Sequence, residues 1–302
     1  MKDGNFKITV LLPVFNAMPY LVDAVTSLIS QTYKNFIVYC IDNGSTDGSD
    51  LYIKNIDDKR FRYYELEEAD LVRALNFGLS NVDSEFVARM DADDISHPLR
   101  FEKQIEFLDN NKDIDVLGTQ GIYFGSNSRK LNINLPFSHA EILRKMLNSE
   151  NALLHPSIMY RSKSINKKFY KKDFFPCEDF EYFLRLSAHV KFANLPDRLL
   201  FFRIHKNSII SKNIKKSMLI YKSVSSKYAG LYTEYERRTT NKVFDTVDIV
   251  SITVYRKGLI QYLNKSLILG ALYFSIASIL NPRRLFKFFQ KKYGLYFNNS
   301  QY

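Results

Sequence analysis

Short apolar runs alternate, along the first 120 residues, with segments whose apolar side chains recur every three or four positions. The runs Ile8–Val14 and Phe36–Ile41 are largely uninterrupted, which is typical of strands buried on both faces of a parallel sheet. Further strands are predicted at 61–66, 85–90 and 114–119. The pattern therefore predicts that this part of the chain forms a buried sheet.

Helical periodicity occupies the intervals between these runs. It predicts helices at 21–31, 70–80 and 98–110. Strands that alternate with helices of this length form right-handed βαβ units. We therefore predict an α/β fold, with a mostly parallel sheet flanked by helices.

Polar side chains lie at or just beyond the ends of three predicted strands, namely Asn16, Asp42 and Asp91. In open α/β sheets, ligands bind outside the carboxyl ends of the strands, so these side chains should meet at one crevice. The sequence contains neither Gly-x-Gly-x-x-Gly after the first strand nor a Walker-type Gly-x-x-x-x-Gly-Lys. Phosphates bound in the crevice would therefore be neutralised by a metal and by side chains.

The segment Arg89–Asp94 carries three carboxylates within four residues, at Asp91, Asp93 and Asp94. Carboxylates this close repel one another unless a cation lies between them. Mg²⁺ and Mn²⁺ prefer oxygen ligands, and one or two carboxylates plus substrate phosphates often hold them. The alternative is an acidic turn that caps the next helix.

Composition narrows the classes of protein. A hydrophobic content of 46% and a charged content of 25% describe a folded chain. With two cysteines, Cys40 and Cys177, a disulfide framework is not expected, and with no secretory pattern near the start we expect a cytoplasmic protein. The net charge of +11 is uneven, with −3 in residues 1–202 and +14 in residues 203–302. A main domain without excess positive charge argues against nucleic acid as a partner.

The sequence beyond residue 210 is basic and lacks strand alternation, which predicts a helical extension over 211–302 after a catalytic domain over 1–210. Ser266–Leu280 has no charge but is shorter than the roughly 20 residues that span a bilayer, so we expect a buried or interfacial helix. Leu285–Tyr293 interleaves aromatic residues with lysines, which suits an anionic membrane surface. The alternatives are a solvated basic face or attraction of an anionic glycan.

Several motifs together resemble the family 2 glycosyltransferases, inverting enzymes with the Rossmann-like GT-A fold. Among them the chain is most similar to bacterial lipooligosaccharide and capsule glycosyltransferases. The resemblance covers residues 8 to about 210. The motifs are Leu12–Asn16, Ile41–Gly48, Ala88–Asp94, His155–Arg161, Glu178–Arg185 and Phe202–Ser208.

The resemblance implies a nucleotide-sugar donor, most simply UDP-linked, and a Mn²⁺ or Mg²⁺ cofactor. A carboxylate at Asp42 suits the imide N–H of uracil, and Asn43 stands where the family usually has a second acid. Asp93 would bind the metal and His205 is a candidate second ligand, the alternative being a structural histidine. The donor-binding positions implied are Pro13, Phe15, Asn16, Asp42, Asn43, Arg73, Asn76, Asp91 and Ala92.

The resemblance also implies a catalytic carboxylate that deprotonates the acceptor hydroxyl. Asp179 is the expected base, with Glu178 beside it; the alternative is that both acids stabilise the first turn of a helix. His155 and Arg100 are candidates for the acceptor or sugar pocket. The alternatives are a structural histidine and an arginine that braces Asp94 or a nearby loop. The acceptor would be a surface glycan or lipid-linked glycan, with the enzyme at the inner face of the cytoplasmic membrane.

Two other classes of protein stay open. Sugar-nucleotide nucleotidyltransferases share the strand order and the aspartate-bound metal, but they usually carry a glycine-rich basic loop where this chain has Pro13–Asn16. A non-catalytic basic module that binds lipid or nucleic acid would need only residues 211–302.

Overall fold

A computed structural model describes residues 6–165, 168–230 and 246–281 of the chain. The strands are β1 (Ile8–Val14), β2 (Phe36–Asp42), β3 (Phe61–Glu65), β4 (Phe86–Arg89), β5 (Ile95–Ser96), β6 (Val116–Phe124), β7 (Lys130–Ile133), β8 (Met159–Arg161) and β9 (Phe192–Arg203). The helices are α1 (Leu21–Ile29), α2 (Ser49–Lys54), α3 (Leu71–Ser80), α4 (Arg100–Asn110), α5 (His139–Leu147), α6 (Ser162–Ile165), α7 (Glu178–Leu186), α8 (Ile209–Lys212), α9 (Ile214–Ala229), α10 (Thr246–Asn264) and α11 (Leu267–Leu280).

The strands form one sheet in the order β3-β2-β1-β4-β8-β6-β9-β5, and β7 pairs with β6. β1 lies between β2 and β4 and is parallel to both, and every residue of β1 and β2 is buried. Val14 pairs with Asp42, and Leu11 pairs with Arg89, so the carboxyl ends of these three strands lie at one edge. The strands predicted from the apolar runs are confirmed.

The second half of the sheet mixes strand directions. β8 is antiparallel to both β4 and β6, β9 is parallel to β6, and the short strands β5 and β7 run antiparallel to their neighbours. Most of the described strands therefore share one direction, and the predicted α/β class with a mostly parallel sheet is confirmed.

Two hydrophobic cores cover the two faces of the sheet, because alternate residues of each strand point in opposite directions. Val10 and Leu12 of β1 pack with α1 and α4, whereas Leu11 packs with the core that contains α3, α5, α7 and α9. The helices thus flank the sheet on both sides, as the sequence predicted.

The helices beyond residue 210 pack onto the rest of the chain. The α10 end is anchored to the β6–β7 hairpin, where the Tyr262 carbonyl accepts hydrogen bonds from Asn127 Nδ2 (3.1 Å) and Arg129 Nη1 (2.9 Å). Asn264 Nδ2 donates to the Ile204 carbonyl (2.8 Å), and a small apolar cluster around Leu263 fills the interface. The division of the chain at residue 210 stays a prediction, and Leu285–Tyr293 lies outside the described residues.

The outer side of α11 is apolar and uncovered. Ile268 and Ile279 are 80% and 82% exposed, and Leu272 and Ile276 lie exposed between them. Gly270, Phe274 and Ala277 form the buried side of the same helix. None of the described helices combines the length and the hydropathy needed to cross a bilayer.

Candidate functional site

A crevice lies at the carboxyl ends of β1, β2 and β4, where the sequence predicted it. It consists of a larger cavity of about 610 Å³ and a smaller cavity of about 200 Å³. The two cavities share five lining residues and therefore adjoin each other. The shared residues are Leu71, Asp91, Asp93, Ser208 and Ile209.

The larger cavity is built on the loop after β1. Asn16 adopts a left-handed backbone (φ 47°), its Oδ1 accepts a hydrogen bond from Thr46 N (2.8 Å), and its own N–H donates to Ser45 Oγ (3.0 Å). These bonds join the loops that follow β1 and β2. Phe15 is 49% exposed at the cavity, which leaves an apolar ring free for a flat ligand. The predicted donor positions brought together here are Pro13, Phe15, Asn16, Asn43, Asp91 and Ala92.

Asp42 and Asn43 differ in what their side chains do. The Asp42 carboxylate accepts hydrogen bonds from Ser45 Oγ (2.5 Å) and Ser45 N (3.3 Å), which close the turn after β2. Asp42 does not line the larger cavity, whereas Asn43 does. Asn43 is buried, and its Oδ1 has no hydrogen-bond partner among the described residues, which leaves one acceptor of a cavity-lining side chain unsatisfied.

The three aspartates after β4 form one cluster. A carboxylate oxygen of each of Asp91, Asp93 and Asp94 lies within 4.8 Å of the others. Burial, together with the charges of Asp93 and Asp91, raises the pKa of Asp94 well above its usual range. Asp94 Oδ1 accepts from the Arg203 backbone N–H (2.8 Å), but its buried Oδ2 has no partner. Convergent oxygens with an unsatisfied buried lone pair fit a hard divalent cation.

Cationic side chains surround this cluster. Burial raises the pKa of Asp91, but the buried Arg89 guanidinium, 2.5 Å away, opposes that shift. Arg203 Nε donates to the Asp93 carbonyl (2.7 Å), and its Nη2 pairs with Asp23 (2.7 Å). His205 Nε2 lies 2.8 Å from Asp93 Oδ2, and its buried Nδ1 has no partner. His205 therefore lies at the acidic cluster itself.

Glu178 and Asp179 begin α7 and line the smaller cavity together with Asp91 and Asp93. Glu178 is 4% exposed, its Oε2 has no partner, and burial raises the pKa of its carboxyl to about 8. Burial also raises the pKa of the half-buried Asp179, to about 6. Near pH 7, Glu178 is therefore mainly protonated and Asp179 mainly ionised, so only Asp179 is ready to accept a proton.

His155 also lines the smaller cavity. Its Nε2 lies 2.9 Å from the Tyr170 hydroxyl, and burial lowers the pKa of its imidazole well below its ordinary value. His155 is therefore a neutral hydrogen-bonding group at this position.

Three of the predicted site residues, Arg73, Asn76 and Arg100, do not line the crevice. Both amide atoms of Asn76 are used by the backbone of Tyr170, and Arg73 lies with it on a separate surface hollow beside α3. Arg100 is fully buried and donates to the Arg89 carbonyl (2.8 Å) and to Gln104 Oε1 (3.1 Å), so it braces β4 from behind. Helical spacing identified these residues as neighbours on a helix but could not say which face meets the crevice.

Arg89, Arg203 and Arg256 line the smaller cavity, although no role was assigned to them from the sequence. Arg89 and Arg203 belong to motifs already singled out, so their position at the site could have been inferred. Arg256 comes from α10, far along the chain, and nothing in the sequence pattern marks it.

The chain is similar to known glycosyltransferases. A family model described as "Glycosyl transferase family 2" matches residues 9–214. The O-antigen biosynthesis glycosyltransferase WbnJ of Escherichia coli is 30% identical over 226 residues, which is 72% of this chain and 86% of that protein. The uncharacterized glycosyltransferase MJ1057 of Methanocaldococcus jannaschii is 28% identical over 258 residues, or 82% and 87% of the two chains.

Solved structures resemble the fold. Residues 1–349 of S. aureus TarS, solved in complex with UDP-GlcNAc, superpose with a TM-score of 0.59 at 18% identity, covering 93% of this chain and 88% of that one. The mannosyltransferase PcManGT from Pyrobaculum calidifontis, in complex with GDP-Man and Mn²⁺, gives a TM-score of 0.59 at 14% identity, with coverages of 93% and 83%. On its motifs, its GT-A architecture and the family match, this chain is a glycosyltransferase that belongs to glycosyl transferase family 2.

Proposed function

We propose that the protein is a metal-dependent, inverting glycosyltransferase that moves a sugar from a UDP-linked donor to a hydroxyl of a bacterial surface glycan. One observation carries most of the proposal. The acidic cluster and the carboxylate of α7 line two adjoining cavities, with Asp93 in both and Asp179 in the smaller one. A leaving diphosphate and an incoming alcohol can therefore meet there.

The reaction is a single displacement. Asp179 accepts the proton of the acceptor hydroxyl as its oxygen bonds to the anomeric carbon, while the bond from that carbon to the phosphate oxygen breaks. Attack opposite to the leaving group inverts the anomeric centre without a covalent enzyme intermediate. The ionised state of Asp179 at pH 7 supports this role, and neutral Glu178 beside it avoids a second negative charge.

Asp93 and His205 would hold Mn²⁺ or Mg²⁺, with the carboxylates of Asp91 and Asp94 converging on the same position. Such an ion, when bound, acts as a Lewis acid on the departing nucleoside diphosphate. The unpartnered Asp94 Oδ2 and the convergence of three carboxylates support a cation at this position. Arg203 holds the cluster in shape through the Asp93 carbonyl and Asp94.

Uracil is the base we propose for the donor. The unpartnered Asn43 Oδ1 at the larger cavity can accept a hydrogen bond from the imide N–H of uracil, and exposed Phe15 offers an apolar surface to the ring. The complex of TarS with UDP-GlcNAc supports the same choice.

A surface glycan is the acceptor we propose, and the O-antigen name of WbnJ supports it. We further propose that the enzyme lies at the inner face of the cytoplasmic membrane, where a lipid-linked acceptor is made. The exposed apolar side of α11 and the basic sequence that follows it, from Arg283 to Lys292, suit an anionic lipid surface. The family match identifies the chain as a glycosyltransferase, which argues against a nucleotidyltransferase or a non-catalytic binding module as the main activity.

A panel of nucleotide sugars tests the proposal without an acceptor. The full chain is incubated with each UDP-, GDP- and dTDP-sugar and Mn²⁺, and slow donor hydrolysis is measured. We expect hydrolysis of a UDP-sugar that disappears when the metal is chelated. Hydrolysis confined to a GDP- or dTDP-sugar would overturn the proposed base, and hydrolysis unaffected by chelation would overturn the proposed metal.

A further inference from the structure

Arg256 reaches the smaller cavity from α10, a helix that lies beyond the residues matched by the family model. Its Nε donates to Ser211 Oγ (3.0 Å), and its Nη2 donates to Ser208 Oγ (3.2 Å). Ser208 lines both cavities, so these two hydroxyls hold the guanidinium close to where the cavities join.

Arg256 differs from the other two arginines of this cavity in its charge balance. Arg89 pairs with Asp91, and Arg203 pairs with Asp23. Burial lowers the pKa of the Arg256 guanidinium, and among the described residues the groups that raise it are Tyr123 and Tyr255 rather than a carboxylate. The side chain is partly buried, and two neutral hydroxyls do not balance its positive charge, which leaves it able to pair with an anion.

We propose that Arg256, oriented by Ser208 and Ser211, is a subsite for an anionic group, phosphate or carboxylate, of a substrate. The planar guanidinium suits such a group because its N–H donors match two oxygens at once. This inference deepens the proposed function and rests on it, since the same crevice would hold both substrates. Two sources share the chemistry, namely the diphosphate of the donor and an acidic group of the acceptor.

The test compares full-length variants by calorimetric titration in the presence of Mn²⁺. Arg256→Met removes the guanidinium, and Arg256→Lys keeps the charge but loses the planar group that can donate to two oxygens at once. Lys257→Met is the matched control, because it removes the same charge from the neighbouring, exposed position of the same helix. The ligands are UDP, uridine, glucose 6-phosphate and glucose.

An effect confined to UDP identifies the donor diphosphate as the source. Affinity for UDP should then fall about tenfold or more in Arg256→Met, with uridine unchanged, because a hydrogen bond to a charged group is lost. An effect confined to glucose 6-phosphate, with UDP and glucose unchanged, identifies the acceptor side. In either case Arg256→Lys should be intermediate and Lys257→Met unchanged.

Equal affinities for every ligand in wild type, Arg256→Met and Lys257→Met would overturn the subsite. The thermal midpoint supplies a readout independent of binding. Removal of a partly buried charge that has no anionic partner among the described residues should leave the melting temperature of Arg256→Met unchanged or raised. A large drop would show that the two serines alone satisfy the guanidinium. If wild type binds glucose 6-phosphate through Arg256 but does not bind UDP, the donor proposal fails and the subsite stands.

Discussion

The rate of sugar transfer should fall in acid with an apparent pKa near 6. Burial raises the pKa of Asp179 to about 6, and only its ionised form can accept the acceptor proton. About nine-tenths of the molecules carry this charge at pH 7 and about one-tenth at pH 5, so kcat should fall roughly tenfold between these two values. Glu178, with a pKa of about 8, is some nine-tenths protonated at pH 7.

Two variants distinguish the role of the Asp179 carboxyl from that of the Glu178 carboxyl. Asp179→Asn should lower kcat by about 10²–10⁴-fold, with little change in donor KM, because it removes a group that acts in the transition state. The fall in rate below pH 7, which is the acid limb of the pH profile, should be absent in Asp179→Asn. Glu178→Gln is the control and should keep the limb near pH 6, because the Glu178 carboxyl is already neutral in the pH range where Asp179 titrates.

The assay is the initial rate of donor turnover at saturating donor and Mg²⁺, from pH 5 to pH 9. A rate that instead rises about tenfold from pH 7 to pH 9, and loses that rise in Glu178→Gln, would make Glu178 the base. An unchanged limb near pH 6 in Asp179→Asn would refute the assignment directly.

Three further outcomes are expected. Asp93→Ala should abolish transfer and the Mn²⁺ dependence of UDP affinity, which is measured by titration with and without chelator. Full activity of the wild-type protein in the presence of chelator would exclude a role for a metal. Glu178→Gln should stabilise the fold by about 2–4 kcal/mol at pH 8 and by less than about 1 kcal/mol at pH 5. The pKa of Glu178 is raised in the folded state, so the wild-type protein loses stability as pH rises towards 8. If Glu178→Gln changed the free energy of unfolding equally at pH 5 and pH 8, the burial of the Glu178 charge would be contradicted. The double variant Ile268→Asp/Ile279→Asp should weaken binding to anionic liposomes at least about tenfold, whereas Leu219→Asp, an exposed apolar position on α9, should not; equal partitioning would exclude α11 from membrane contact.

The sequence was sufficient for the parallel half of the sheet and for the edge that carries the site. Uninterrupted apolar runs such as Ile8–Val14 must be covered on both faces, and parallel strands bring their carboxyl ends to one side. Asn16 and Asp91 were therefore expected at the same edge of the sheet, and the pairing of β4 with β1 brings them to one cavity. The motifs around Asp93 and Asp179 were visible through the resemblance to family 2 glycosyltransferases.

Only the tertiary structure decided how individual side chains are used. Asp42 closes a turn with Ser45, and Asn76 binds the Tyr170 backbone, because local partners compete with a ligand for each polar atom. The pKa of Asp179 depends on burial by residues distant in sequence. Arg256 enters the crevice because α10 docks on the β6–β7 hairpin, a contact between segments more than 130 residues apart. Periodicity identifies which face of an element is apolar, but long-range packing determines what that face contacts. Here that packing brings the guanidinium of a residue distant in sequence to the site.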